Sequence, residues 1–166
     1  MSVQAARRHV DRVLSELAAE HGRVEVVREP VEVSATAYES LRGRAAAFDG
    51  CGGAGAWVLD PEGRVLLVDS DEGWAEPAAA RRPEADFRDC AGAAVRDLTG
   101  VDPVFGGLSH VHVRYVADPF DRDPVPQPFV VFAARAEGEP NDGAAWHASL
   151  PDDLLYDYLT ELPLDG

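Results

Sequence analysis

Apolar positions recur at three- and four-residue spacing through the opening of the chain. Val3, Ala6, Val10, Val13, Leu14 and Leu17 fall on one face of a helix that ends near His21 and Gly22, with charged residues on the other face. Residues 24–33 alternate loosely and are β-branched, and Pro30 within them confines the segment to an edge strand or splits it in two. Thr36 with Glu39 three residues on forms a capping box, predicting a second helix that turns Tyr38, Leu41, Ala45 and Phe48 inward.

The character changes after Asp49. An apolar stretch, the turn residues Asp60, Pro61, Glu62 and Gly63, and a second apolar stretch predict a β-hairpin. The glycines between Gly50 and Gly55 do not form a phosphate cradle, because no Gly-Lys-Ser/Thr follows and the next element is a strand; they are read as a flexible lead into it. Residues 70–82 are irregular. Pro83, with Glu84 and Asp86 after it, predicts the start of a helix running to Leu98 or Thr99 and capped by Gly100. A strand follows, with Val111, Val113 and Tyr115 on one face and His110, His112 and Arg114 on the other. Residues 118–128, rich in Asp and Pro, are expected as an exposed loop. An apolar strand over 129–136, a loop over 137–145 and a closing helix over 150–162 complete the pattern.

A chain of 166 residues, 46% hydrophobic, suffices for one domain that buries roughly 70% of the surface exposed when unfolded. No apolar run approaches the ~20 residues of a membrane helix, and the start lacks the charged-then-apolar secretory pattern, so a cytoplasmic protein is expected. Thirty acids against fifteen arginines give a net charge of −15. Such an excess suits a halophile, since molar salt shortens the Debye length to ~3 Å and screens self-repulsion. The absence of Lys and Ile fits a GC-rich genome equally well. Binding to nucleic acid is disfavoured, because a polyanion requires a basic patch. Cys51 and Cys90 form no CxxC pair and are read as buried thiols.

Local wording narrows the fold. Gly73-Trp74-Ala75-Glu76-Pro77 resembles the lead-in to the Nudix box, Thr99-Gly100-Val101 resembles its end, and Trp146 before Leu150-Pro151 resembles the family's closing segment. The chain thus resembles the Nudix hydrolases over about residues 50–162, in a haloarchaeal-type, acid-rich form. The resemblance implies an α+β fold, a Nudix-type α/β/α sandwich with a mixed sheet. Residues 1–49 would then be a helix-strand-helix extension packed on a Nudix-like domain over 50–166.

Counted back from Gly100, the box places its three clustered acids at Ala94, Asp97 and Leu98, its Arg at Ala93, its earlier Glu at Ala85 and its opening Gly at Ala79. Family members hydrolyse nucleoside diphosphate-linked compounds with Mg²⁺, which needs several oxygen ligands in near-octahedral geometry. Acids at i, i+3 and i+4 of a helix converge on one place. Only Asp97 survives here, so the box is degenerate. The resemblance implies Asp97 as the catalytic and metal-binding acid, aided by a loop acid such as Glu139, with Mg or Mn as the ion in an active protein. Glu76, Glu137 and Asp142 are further loop acids within reach. His110 and His112 lie about 7 Å apart on one strand face and, with Trp74, are candidates for binding a nucleotide-like small molecule. Trp57, Trp146, Phe129 and Tyr115 are other aromatics able to stack a base. Two readings remain beside each other, a weak or non-catalytic nucleotide-binding module and an active pyrophosphohydrolase. A third, a purely structural interaction protein, draws on the opening helix, and a homodimer is compatible with all three.

Overall fold

The computed structural model describes residues 2–47, 52–70, 73–81, 85–120 and 124–154. Helix α1, Ser2–His21, has the predicted face: Val10, Val13 and Leu17 are buried, and Gly22 ends the helix at φ 80° with its N–H on Ala18 O. Strand β1, Val26–Glu32, is a single edge strand rather than two pieces, paired in parallel with β6, Val104–Ala117. Helix α2, Ala35–Ala47, begins one residue before the expected cap: Ser34, not Thr36, accepts the Ala37 N–H at 3.1 Å. Tyr38 and Leu41 are buried as expected, whereas Ala45 and Phe48 lie outside the described side chains.

Strands β2, Gly53–Leu59, and β3, Val65–Ser70, are the two arms of the predicted hairpin. The turn is held by Asp60, whose carboxylate accepts the N–H groups of Glu62 and Arg64 and the Arg64 Nε at 2.7 Å. Burial by itself raises the Asp60 pKa, but these hydrogen bonds outweigh it and hold the carboxyl below its ordinary value.

The described residues of the stretch expected to be irregular, 70–82, are more ordered than their sequence suggests. They contain β4, Gly73–Ala75, on β3 and β5, Ala78–Ala80, across the start of β2. The glycines of β2 are what admit β5. A Cβ on Gly53 would overlap Ala79 O and one on Gly55 would overlap Pro77 O, so these residues serve close backbone approach rather than flexibility.

Helix α3, Phe87–Thr99, starts later than predicted. Asp86 is its N-cap, accepting from Arg88 N at 2.7 Å, and Pro83 and Glu84 lie outside the described residues. Gly100 closes it at φ 75°, donating to Arg96 O at 2.9 Å. The expected loop over 118–128 is shorter, because β7 spans Val125–Arg135. Pro126 and Pro128 are tolerated there because the β2 ladder begins only at the Gly53–Phe129 pair, leaving one side of β7 without a strand to receive an N–H. A further strand, β8, Ala144–His147, pairs with β3 and overlaps the end of the expected loop over 137–145. Residues 150–154 are not helical, and the rest of the predicted closing helix lies outside the described residues.

The sheet is mixed, in the order β1-β6-β7-β2-β3-β4, with β5 on β2 and β8 on β3. α1 and α3 cover one face: Val10, Val13, Leu17 and Ala91 pack on Val111, Val113, Val130 and Phe132, and Val95 packs on Ala56, Val58 and Leu66. The opposite face carries Trp57, Leu59, Val65, Leu67 and Val131, joined by Trp74, Leu150 and Leu154. The described helices and mixed sheet form the α+β architecture expected from the sequence. No helix among the described residues is long and apolar enough to cross a membrane.

Candidate functional site

The two-residue period of β6 places His110, His112 and Arg114 on the sheet face away from α1. His112 is paired across the ladder with Phe129 of β7, and the Arg114 guanidinium carbon lies 5.6 Å from the centre of the Phe129 ring, a cation–π approach. Beside this row the chain bends through Glu76 and Pro77 into β5, with Pro77 O accepting the Ala56 N–H at 3.1 Å. The bend buries the Glu76 side chain to 7% exposure.

Between these parts lies an open cleft of about 270 Å³. β6 and β7 contribute His112, Arg114 and Phe129 to it, β3 contributes Val68 and Ser70, and the β4–β5 segment contributes Glu76 and a wall of alanines. α3 contributes one residue, Leu98. The other apolar residues near the end of α3, Val95 and Val101, are core, but Leu98 is 40% exposed and faces the cleft.

Burial first, then the charge of Arg114 and the neighbouring His110, pushes the His112 pKa down to about 3; burial takes His110 to about 4. Both imidazoles are therefore neutral near pH 7, each with one donor and one acceptor nitrogen. His110 Nδ1 lies 3.0 Å from Ser109 Oγ, below the surface that His112 reaches. Cys90 is half-buried beside Ala79 O at 3.6 Å, and burial raises its thiol pKa, so the thiolate is disfavoured. Cys51 lies outside the described residues.

Of the site residues predicted from sequence, His112 lines the cleft. Asp97 is on the exposed side of α3 and Glu139 is exposed in the segment after β7. Trp74 packs edge-on against His147, ring centroids 4.6 Å apart, and its backbone N–H donates to Asp153 O at 2.9 Å. Trp57 is core, at 3% exposure. Ala94, where the sequence register expects an acid, is 2% exposed. Among the described residues, no three His, Cys, Asp or Glu side chains are grouped as a metal ion would need. Sequence reasoning gave no role to Arg114, Val68 and Ser70. The alternation that placed Arg114 beside the histidines was the available signal for it, whereas Val68 and Ser70 reach the cleft only through the pairing of β3.

No protein-family model matches the sequence, and no curated protein matches it. Solved structures do. A MutT protein from Bacillus halodurans aligns at a TM-score of 0.53 and 17% identity, over 68% of this chain and 73% of its own. A Nudix hydrolase from Nitrosomonas europaea gives 0.52 at 14% identity, over 67% of this chain and 66% of its own. The chain has the Nudix fold. A third such neighbour, a MutT Nudix hydrolase from Burkholderia pseudomallei, aligns at 0.50 with 20% identity, over 61% of this chain and 87% of its own. These identities carry the fold alone. Within this Nudix fold, α3 and the bend through Glu76 and Pro77 occupy the stretch whose wording resembles the Nudix box and its lead-in, and the cleft opens beside them.

Proposed function

We propose that this protein is a Nudix-fold binding module for a small nucleotide-like molecule, with the metal-centred hydrolysis of the family lost or vestigial. The reading rests on one observation: at the cleft wall, where the sequence register sets a metal-binding acid, the helix presents the alkyl side chain of Leu98. The donor set there does not fit a magnesium ion. Among the described residues, Glu76 is the one carboxylate lining the cleft and Asp97 lies on the exposed side of α3, while Mg²⁺ requires several oxygens at about 2.0–2.1 Å in octahedral array. What the cleft retains is the make-up of a ligand site, apolar walls with a few convergent polar groups in Glu76, Ser70, His112 and Arg114.

The test is release of phosphate or nucleotide from a panel of nucleoside diphosphate-linked compounds in high salt with Mg²⁺ and with Mn²⁺, comparing the native chain with Asp97→Ala. No metal-dependent release is expected, while at least one compound of the panel raises the melting temperature, as a ligand of the folded state must. Metal-dependent turnover that Asp97→Ala abolishes would establish the alternative, an active pyrophosphohydrolase using Asp97 and loop acids.

A further inference from the structure

We infer that the cleft between Leu98 and the His112–Phe129 row accepts a planar heterocycle of little or no charge, a free base or nucleoside, in preference to its di- or triphosphate. The inference rests on the ligand-binding reading above and narrows its ligand.

Size is the first ground. About 270 Å³ lies just below the range of about 300–1,000 Å³ usual for small-molecule sites, which suits a ring or a ring with one sugar rather than an extended polyphosphate. Charge is the second. Among the described residues, one cation, Arg114, and one anion, Glu76, line the cleft in a chain of net charge −15, so they supply no excess of positive charge. Each terminal phosphate adds about −1.5 to −2 charge at pH 7 and calls for opposing cations. Leu98 supplies no carboxylate for a metal ion that would bridge the difference.

Shape and hydrogen bonding are the third ground. The Phe129 ring and the Arg114 guanidinium are flat groups, and Leu98, Val68 and the alanine wall provide the apolar surfaces against which a ring is buried. Among these sit the Glu76 carboxylate, the Arg114 guanidinium, the Ser70 hydroxyl, which donates to Gly73 O, and the His112 imidazole, kept neutral at pH 7. Mixed donors and acceptors of this kind match the edge of a heterocycle and need no net charge on it.

The experiment is calorimetric titration of the full chain, at low and at molar salt, with adenosine, guanosine, cytidine and uridine and with the triphosphate of each, with and without Mg²⁺. At least one nucleoside is expected to bind ten-fold or more tightly than its own triphosphate. Leu98→Arg, at a half-exposed position that the fold tolerates, adds a cation to the wall and is expected to narrow that ratio at least ten-fold. A triphosphate that binds the native chain as tightly as its nucleoside, or a ratio that Leu98→Arg leaves unchanged, overturns the inference while leaving a ligand-binding protein in place. Binding of none of the eight compounds overturns it together with the ligand-binding reading.

Discussion

The indole of Trp74 and the imidazole of His147 meet edge to face, centroids 4.6 Å apart and planes inclined by 73°, so the aromatic that the lead-in wording offers to a ligand is docked on β8. Leu150 and Leu154 pack in the same cluster, and Leu154 bridges to the Trp74 backbone. Trp74→Ala is therefore expected to act on stability. A loss of about 2 kcal/mol, below the 3–5 typical of a fully buried Trp, should appear as a lower denaturant midpoint. Wild-type stability in Trp74→Ala would contradict this packing role.

Placing Glu at two positions that the sequence register assigns to box acids should have unequal effects. Leu98 is 40% exposed, and Leu98→Glu is expected to change stability by no more than about 0.5 kcal/mol. Ala94 is 2% exposed, so Ala94→Glu buries a charge without a partner and should cost about 3 kcal/mol or more. Thermal unfolding of the two single variants checks this, and equal stabilities would place Ala94 outside the core.

Acid sensitivity should come from the buried histidines of β6. Their ordinary pKa is near 6.5, whereas in the fold they titrate at about 4 and about 3, so the unfolded chain takes up the protons first. Their neutral burial costs nothing above pH 6.5. As pH falls from 6.5 toward 4, stability should drop by about 1.4 kcal/mol per pH unit for each histidine, levelling once the folded forms protonate. Urea midpoints across this range should flatten in His110→Gln/His112→Gln. An unchanged slope would place the acid sensitivity elsewhere.

Asp60 acts at lower pH. Its carboxyl lies below 3.8 in the fold, so its contribution is complete above that value and is lost as pH falls through the folded pKa. Asp60→Ala leaves the N–H groups of Glu62 and Arg64 without their acceptor in a part-buried turn and is expected to cost about 1–2 kcal/mol near neutrality, measurable by thermal unfolding.

Gly100 is held at φ 75°, and a Cβ there would stand 2.6 Å from Asn141 Oδ1. Gly100→Ala should cost about 1–3 kcal/mol. Adding Asn141→Ala should return only the part due to the clash, since the backbone strain stays. Full recovery in the double variant would show that φ is not limiting.

Helices α1 and α3, the hairpin, the edge position of β1 and the alternation of β6 were legible because each repeats a local period over many residues and is punctuated by Gly22, Gly63, Gly100 or Pro30. The Nudix fold was legible through short wording at Gly73-Trp74 and Thr99-Gly100-Val101. The short strands β4, β5 and β8 were not, since three or four residues drawn from Gly, Ala, Trp and His have no periodicity and become strands only because β2 or β3 offers an edge. Pro126 and Pro128 hid the start of β7 for the converse reason: their tolerance depends on which neighbour begins where.

The same division runs through the site. The sequence by itself determined the types of residue on each element, including the alkyl group at Leu98 and the alternation that puts His112 and Arg114 on one side of a strand. Only the tertiary structure decided which of these meet. Leu98 turns to the cleft while Asp97, one residue away, turns about 100° around the helix to solvent. The Gly53 and Gly55 backbone lets β5 close over β2 and brings Glu76 and the alanine wall to the cleft. Periodicity assigns a side chain to a face of its own element, but what lies opposite that face is settled by packing between segments distant in the chain.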